Sequence, residues 1–492
     1  MLASTYTSTD HLALLPAIVL VLFACATLLL DVVGKAVGTS RRWLPAFALT
    51  GLAVTAFSFW RQWSAMRASG VSELTAAGGA VTLDGLAFFT NALVLGATAL
   101  LFLTSYRFLD IQRENKGEYY GLALLAEAGM YFMATGSDLV TLFLGLELTA
   151  ISFYILVGFT RADRRSNEAS LKYLLLGAFS SGFVLYGFSL FYGISGSTLL
   201  PAIELAANRR GASDPLVILG TITVVVGLLF KISAVPFHAW APDAYDGAPT
   251  PVTGHLSVAS KIASFAVILR FLPFTLGGAR SIWAPMLIVA AIASITIGSI
   301  AALTQQRLKR LFAYSSIAHA GYVLLGIIAG TETGLRGVYV YLAVYAVMNL
   351  GSFAVLTSLH RDGIAGETLG ELRGLSFTRP LHAAMFVVLL LSLAGLPPTA
   401  GFLAKYYILV ALIETRHYVL AVIAAAYVVV SLYFYFRLVR EMYLKGAETH
   451  PPLAASTGIR LALYVTAGLT LFIGMFPEPL LRVGFRVAGV GQ

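Results

Sequence analysis

The sequence LVILGTITVVVGLLFKISAVPFHAWAPDAYDGAPTPVT, residues 216–253, contains the pattern that decides the fold. A long apolar run, residues 216–230, ends at Lys231, and Pro236 follows within five residues. Proline lacks the backbone donor that a helix needs and tends to break the helix. A charge beside a helix break at the end of an apolar run is typical of a membrane helix that is interrupted next to a polar cavity.

The composition of the whole chain agrees with a lipid environment. Of its 492 residues, 58% are hydrophobic and only 12% are charged, whereas soluble domains carry about twice that charged fraction. The net charge of +9 does not indicate nucleic-acid binding, because the basic residues lie in short loops between apolar runs instead of forming one basic face. The apolar runs are continuous and do not alternate with period two, which excludes a membrane β-barrel.

A transmembrane helix needs about 20 apolar residues, and scanning at that length predicts an all-α polytopic membrane protein with about fourteen spans. Neither Lys nor Arg precedes the first apolar run, residues 12–30, so we expect it to stay as a helix and not to be cleaved as a signal peptide. The predicted spans start near residues 12, 44, 83, 119, 139, 169, 215, 254, 282, 311, 336, 381, 417 and 460.

The basic residues predict the orientation, since cytoplasmic loops carry an excess of Lys and Arg. With the N-terminus outside, the loops after odd-numbered spans hold most of them. These are Lys35, Arg41, Arg42, Arg107, Arg113, Lys116, Arg161, Arg164, Arg165, Arg307, Lys309, Arg310, Arg437, Arg440 and Lys445. The opposite loops hold chiefly Arg61, Arg67, Arg209, Arg210, Arg280 and Arg416. We therefore expect both termini on the outer side.

Short matches at an offset of about 170 residues predict two repeats. ILVG at 155–158 resembles VLLG at 323–326, SGF at 181–183 resembles GSF at 351–353, and Lys231 beside Pro236 resembles Lys405 beyond the two prolines 397–398. Five spans separate the members of each pair, and an odd number places the copies upside down relative to each other. Transporters built from inverted repeats show this arrangement.

Cysteine use limits the chemistry of the chain. Cys25 is its single cysteine, so no disulfide, thiolate metal site or iron–sulfur cluster can be built within it. The sequence also contains neither a dinucleotide-binding fingerprint nor a phosphate-binding loop. Any redox chemistry must belong to other subunits.

Four charged side chains lie inside predicted spans: Glu147, Lys231, Lys261 and Lys405. Each would cost about 2.5 to 3.5 kcal/mol at a helix centre on insertion scales. Buried pairs joined by water in the protein interior would offset this cost, and broken helices fit that interior because exposed backbone is tolerated at membrane depth only beside a cavity. Lysine suits proton transfer, since its surroundings readily change its proton affinity. Together, Glu147, Lys231, Lys261 and Lys405, here called the lysine row, predict a path for protons through the membrane.

The alternative is a static ion pair that only fixes helix packing. It suits Glu147 with one lysine, but three lysines at separate positions weaken it, because lysines without partners would be costly and idle.

Further polar residues in or near the spans have two interpretations each. Lys172 lies near the start of its span, where it either snorkels to the interface or joins the relay, and His238 after the break is either a relay member or a structural histidine. For His255 and His319 the structural interpretation is favoured. Asp243 and Asp246 are first interpreted as loop or cap residues, and Glu127 is an embedded acid without an assigned role.

The segment from Phe230 to Thr253, FKISAVPFHAWAPDAYDGAPTPVT, resembles the hallmark of the antiporter-like subunits of complex I, the proton-pumping NADH:quinone oxidoreductase. Within them it is most similar to the subunit N family. The following LSVASK at 256–261 supports this, as does Lys405, where subunit M is expected to have glutamate. Subunit L would carry a C-terminal extension with a long lateral helix, and this chain stops after its fourteenth predicted span.

The resemblance covers nearly the whole chain and implies an architecture. It implies fourteen helices, with spans four to eight and nine to thirteen as two inverted five-helix repeats and with spans seven and twelve broken. The expected regions are 1–118 for helices one to three, 119–275 and 276–446 for the repeats, and 447–492 for helix fourteen.

The resemblance also implies roles. Glu147 and Lys231 would form the coupling pair, Lys261 the central relay and Lys405 the exit side, with Lys172 and His238 as accessory members. It implies a bacterial inner membrane and other complex I membrane subunits as partners. NAD, FMN, iron–sulfur clusters and quinone are expected in partner subunits, and no cofactor or metal is expected in this chain.

Three other functions share part of the pattern. A subunit of a multisubunit cation/proton antiporter, or of a membrane-bound hydrogenase, would share the helices and lysines but not the partner. A passive scaffold would need neither Lys261 nor Lys405. An independent secondary transporter for a solute would act without partner subunits.

Overall fold

The computed structural model describes residues 7–37, 41–360, 366–444 and 456–487. Nearly all of these residues are helical, apart from a short hairpin formed by β1 (Leu74–Ala76) and β2 (Val81–Leu83). Lys445 and both chain termini lie outside the described residues, so the predicted side of the termini stays a prediction.

The helices follow one another with short connections. In the first half they are α1 (Ser8–Val37), α2 (Leu44–Ser69), α3 (Gly85–Ile111), α4 (Gly117–Thr135), α5 (Leu139–Val157), α6 (Arg164–Ser195), α7 (Leu200–Arg210), α8 (Pro215–Lys231), α9 (Trp240–Gly247), α10 (Thr250–His255) and α11 (Lys261–Leu269). In the second half they are α12 (Arg280–Thr304), α13 (Leu308–Ala329), α14 (Glu332–Leu359), α15 (Leu375–Thr378), α16 (Pro380–Ala394), α17 (Ala400–Glu414), α18 (Tyr418–Leu444), α19 (Thr457–Met475) and α20 (Glu478–Val487).

The chain is a multi-pass helical membrane protein, as predicted. Within the described ranges, eleven helices are long and apolar enough to cross a membrane, and α8 and α16 are shorter apolar helices. The first predicted span is the helix α1. The count of fourteen spans and the inverted orientation of the two halves stay predictions.

The exposed and buried residues show which helices face lipid. Large apolar side chains are exposed along outer helices, among them Leu29, Val419 and Val429. By contrast, three spans, residues 250–275, 308–329 and 332–359, are almost wholly buried. In lipid, apolar residues gain nothing by turning inward, so polar residues are free to collect in the centre.

The first predicted break lies between α8 and α9. Ser233 has a positive φ of 55°, and the backbone N–H of Val235 donates to Ser294 Oγ of α12 at 2.8 Å. The Trp240 indole N–H donates to the carbonyl of Phe230 at 3.0 Å. The serine hydroxyl thus satisfies a backbone N–H that the interrupted helix leaves unpaired, and the indole adds a second hydrogen bond to a carbonyl at the end of α8.

The second predicted break lies between α16 and α17. Gly395 ends α16 in the left-handed region with φ 86°, and the N–H of Gly401 at the start of α17 donates to Ser392 Oγ at 3.0 Å. The prediction that spans seven and twelve are broken is confirmed.

Residues 250–275 form one span of mixed geometry. Between α10 and α11, residues Leu256–Ser260 are π-helical, and Arg270–Thr275 are π-helical again after α11. π-helical turns are rare and occur frequently at functional sites. The first of them ends directly before Lys261.

Candidate functional site

Glu147 and Lys231 meet between α5 and α8 with a hydroxyl between them. Lys231 Nζ lies 3.6 Å from Glu147 Oε1 and 3.3 Å from Ser181 Oγ of α6, and Ser181 donates to Glu147. The Lys231 side chain is buried, whereas 24% of the Glu147 side chain is exposed. The two side chains predicted to pair are therefore brought together, and Ser181 forms a third member that the sequence did not indicate.

Lys261 lies buried at the junction of the π-helical turn and α11. Its Nζ donates to the carbonyl oxygen of Ser316 in α13 at 3.0 Å and to Ser316 Oγ at 2.5 Å. The Tyr345 hydroxyl of α14 donates to Ser316 Oγ at 2.9 Å, and Asn349 Nδ2 donates to Tyr345 Oη at 3.2 Å. All these partners are neutral.

Lys405 lies buried in α17 against the second break. Its Nζ donates to the carbonyl oxygens of Leu393 and Ala394 at 3.1 and 2.8 Å. These carbonyls belong to the last turn of α16 and are available because that helix stops at Gly395. The ammonium also lies 5.1 Å from the ring centroid of Tyr322, at the distance of a cation–π contact.

Helix α13 connects the surroundings of Lys261 and Lys405. His319 Nδ1 lies 2.7 Å from the Tyr341 hydroxyl, and its Nε2 lies 3.3 Å from the Tyr435 hydroxyl. Ser316, His319 and Tyr322 are spaced by three residues, so they share one face of α13. That face runs from the Lys261 ligand Ser316 to Tyr322 beneath Lys405. The three-residue spacing is visible in the sequence and predicts one shared helix face. The sequence does not indicate that this face contacts Lys261 and Lys405.

Lys231 and Lys261 are not joined by a direct hydrogen bond in the part of the chain that the structure describes. Helix α9, which follows the first break, reaches the Lys261 site: the Tyr245 hydroxyl is 3.5 Å from Ser316 Oγ, and the Tyr245 ring contacts Trp240 at 6.2 Å between centroids. The break that carries Lys231 thus leads through α9 to the Lys261 site.

Lys172 lies apart from the buried lysines. It is in α6, which begins at Arg164, five residues before the predicted start. Its side chain is 45% exposed and forms ion pairs with Glu168 at 2.8 Å and Asp243 at 2.9 Å. The surface pairing is the geometry expected of a lysine at the membrane interface.

Asp243 and Asp246 lie in α9 and not in a loop, which corrects the sequence interpretation. Asp243 also contacts Arg310 at 3.1 Å, and Asp246 contacts Arg307 at 2.6 Å. The motif continues as a helix after the break because Trp240 packs back onto α8.

His238 lies within the first break. It is partly buried, and its Nδ1 is buried without a hydrogen-bond partner among the described residues. Its role, as a relay member or as a structural histidine, therefore stays a prediction.

A network of opposite charges lies at the ends of α6 and α13. Glu367 contacts Lys309 and Arg307, both at 2.6 Å, and Arg165 at 3.3 Å. Burial alone would raise the pKa of Glu367, but the three cations outweigh burial and lower it. Glu367 is therefore ionised and ties α6 to α13.

The fold and the site together define a class of protein: a polytopic helical membrane protein whose interrupted helices hold buried lysines against hydroxyl and carbonyl oxygens. The sequence model of the family described as NADH:quinone oxidoreductase/Mrp antiporter, TM, matches residues 136–431. That range contains Glu147, Lys231, Lys261 and Lys405.

Individual relatives show which family within this class the protein resembles most. NADH-quinone oxidoreductase subunit N 2 of Solibacter usitatus is 53% identical over 479 residues, which are 97% of either chain. A chain of respiratory complex I from Thermus thermophilus with bound aureothin is 32% identical, with a TM-score of 0.79 over 95% of this chain and 98% of that one. A chain of the Mrp complex from Dietzia sp. is 23% identical, with a TM-score of 0.81 over 96% and 97%, and shows likeness of fold alone.

This chain belongs to the subunit N family of NADH-quinone oxidoreductases. The resemblance seen in residues 230–253 and 256–261 is confirmed.

Proposed function

We propose that this chain is a proton-translocating membrane subunit of respiratory NADH:quinone oxidoreductase. Protons pass outward along Glu147, Lys231, Lys261 and Lys405, and quinone reduction in other subunits drives them. The observation that carries this proposal is the setting of Lys261 and Lys405. Both are buried, and their hydrogen-bond partners in the described structure are neutral oxygens.

Neutral oxygen partners distinguish a relay from a static ion pair. A lysine that only fixed helix packing would be neutralised by a carboxylate, because an uncompensated charge in the membrane is costly. Carbonyl and hydroxyl oxygens accept hydrogen bonds from both the ammonium and the neutral amine. Lys261 and Lys405 can therefore hold or release a proton without losing their partners.

Glu147, Ser181 and Lys231 form the first step of the proposed path. At 3.6 Å the carboxylate and the ammonium are close but are not tightly hydrogen-bonded, and Ser181 bonds to both. Any rearrangement that draws Glu147 away removes the charge that stabilises the ammonium. Lys231 then loses its proton toward α9 and Lys261.

The second step uses the polar face of α13. Ser316 holds Lys261, and Tyr322 lies beneath Lys405, with His319 one turn from each. Water between these hydroxyl and imidazole groups completes the route, as expected for buried polar groups. Lys405 then releases its proton on the outer side.

Glu147 also favours a partner subunit. Its partly exposed carboxylate lies on a helix face that exposes Leu144 and Ile151, and a charge cannot face lipid cheaply. Another complex I membrane subunit on this face would enclose Glu147.

The proposal includes four further points. The chain lies in a bacterial inner membrane, and both of its termini face the outer side. Residues 119–275 and 276–446 form inverted repeats. NAD, FMN, iron–sulfur clusters and quinone are bound by the partner subunits.

Replacing the relay lysines in the assembled enzyme tests the proposal. Lys261→Ala and Lys405→Ala should each abolish most proton pumping, measured in membrane vesicles with NADH, while assembly stays normal. The matched control is Lys116→Ala, because Lys116 pairs with Glu114 away from the row. Normal pumping by both relay variants would contradict the proposal and would support the alternative in which this chain is a passive scaffold.

The family description favours one competing function, since it also includes Mrp antiporters. A cation/proton antiporter subunit would use the same lysines without NADH oxidation. Sodium-dependent transport that continues when NADH is withheld would support that function.

A further inference from the structure

A second group of titratable side chains lies buried outside the lysine row. Glu127 of α4 and His255 of α10 are 2% and 0% exposed, and the hydroxyl of Thr98 in α3 lies between them. Thr98 Oγ1 is 2.5 Å from Glu127 Oε2 and 3.5 Å from His255 Nε2. Three different helices thus contribute to one acid–hydroxyl–imidazole chain.

The surroundings of Glu127, Thr98 and His255 are unusual for a cluster with a purely structural role. No ion pair involves Glu127 within the ranges that the structure describes, so an ionised carboxylate there would be uncompensated, and the neutral acid suits the site. His255 packs on Phe153 of α5 at 5.4 Å between ring centroids. Its Nδ1 is buried and has no hydrogen-bond partner among the described residues.

His255 lies in the same span as Lys261 but faces other neighbours. His255 faces α3 and α5, Ser257 bonds to Asn349 of α14 at 2.7 Å, and Lys261 bonds to α13. The π-helical turn Leu256–Ser260 separates His255 from Lys261. Six residues, less than two helical turns, separate the two positions, so a positive charge at His255 opposes a positive charge at Lys261.

We propose that Glu127, Thr98 and His255 form a second proton-holding site, whose charge state is coupled to that of Lys261. The inference rests on the proposed function. The neutral state contains a protonated Glu127 and a neutral His255. Glu127 gives its proton to Thr98 Oγ1 as the Thr98 hydroxyl gives its own to His255 Nε2. The products are a carboxylate, an unchanged hydroxyl and an imidazolium, so the number of protons is conserved.

Infrared difference spectroscopy of the intact complex, with and without NADH, tests the site directly. The wild type should show a carbonyl-stretch signal of a protonated carboxyl that changes on NADH addition. Glu127→Gln should lose this signal, and Thr98→Val should shift or abolish it. Thr104→Val is the matched control, because Thr104 is a buried threonine of the same helix that bonds only to the carbonyls of Leu100 and Leu101.

Pumping measurements on the same preparations separate this inference from the proposed function. If Lys261→Ala stops pumping while Glu127→Gln leaves the infrared difference spectrum unchanged, the second site is refuted and the relay stands. The same conclusion follows if the Glu127 signal exists but does not respond to NADH. If Lys261→Ala pumps normally, the proposed function fails whatever the spectra show.

Discussion

At the scale of single residues, backbone geometry and small side chains control where the functional charges lie. Gly395 has φ 86°, a conformation that glycine adopts without strain, and a Cβ there would be 2.7 Å from Lys405 Cδ. Ser181 holds Glu147 and Lys231 by one hydroxyl. The charged residues were visible in the sequence, but these supporting residues were not.

Gly395→Ala should reduce proton pumping severalfold with little loss of assembly. The new methyl group displaces the Lys405 side chain from the carbonyls of α16, and the positive φ adds roughly 1 kcal/mol of strain. NADH-driven pumping in vesicles measures the effect. Gly193→Ala is the control, since no neighbouring atom lies within 4 Å of a Cβ built there. Equal pumping by the two variants would contradict the placement of Lys405.

Ser181→Ala should weaken the coupling between Glu147 and Lys231 while costing about 1 kcal/mol or less in stability. The hydroxyl that bonds both charges is lost, so the distribution of the proton between them changes. The pH profile of NADH-driven pumping is the readout. In the control, Ser180→Ala, the lost hydroxyl bonds only the carbonyl of Gly227, and its pH profile should match the wild type; a Ser181→Ala profile that also matched would exclude the bridging role.

At the scale of elements, each of the two interrupted helices depends on a serine hydroxyl, which lies on another helix at the first break and in the same interrupted helix at the second. At the first break the backbone N–H of Val235 donates a hydrogen bond to the hydroxyl of Ser294 in α12. At the second break the backbone N–H of Gly401 donates a hydrogen bond to the hydroxyl of Ser392. Proline and glycine in the sequence predicted where the helices stop. They did not predict which hydroxyls would accept hydrogen bonds from the exposed backbone N–H groups.

Ser294→Ala should destabilise the first break by about 1 to 3 kcal/mol, because a buried backbone N–H loses its acceptor. The melting temperature of the assembled complex in detergent is the measurement. Ser299→Ala is a close control on the same helix, as Ser299 is also buried but its hydroxyl has no partner among the described residues. Similar melting temperatures for the two variants would show that Ser294 does not support the break.

At the scale of the whole molecule, the ionised Glu367 links helices of the two predicted repeats, α6 through Arg165 and α13 through Lys309. Its pKa is lowered from an ordinary value of 4.5 by these cations against the effect of burial. A lowered pKa means that the carboxylate stabilises the folded state above that ordinary value. This contribution is lost as the pH falls through the lowered pKa.

Glu367→Gln should therefore lower the melting temperature of the complex at neutral pH. The difference from the wild type should shrink as the pH falls below the ordinary value of 4.5 and should vanish below the lowered pKa, where the carboxylate of the folded wild type is protonated. Melting curves across pH measure this. Glu73→Gln, at an exposed position outside every described ion pair, should show no such difference; a Glu367→Gln effect that persisted unchanged in acid would contradict the electrostatic origin.

Local features of the amino-acid sequence were enough to predict a multi-pass helical membrane protein, helix breaks near Pro236 and at Pro397–Pro398, and the charged residues inside its spans. These features follow from local physics: apolar length, proline geometry and the cost of charge in lipid act on each segment separately. The motif at residues 230–253, with LSVASK at 256–261, carried the resemblance to the subunit N family.

The tertiary structure alone decided which neutral groups surround each charge. It placed Ser316 against Lys261, the carbonyls of α16 against Lys405 and Thr98 between Glu127 and His255, and it put Lys172 in surface ion pairs. These contacts join residues far apart in the chain. Hydropathy averages over a segment and does not encode which face of one helix meets another, so packing of the whole bundle fixes them.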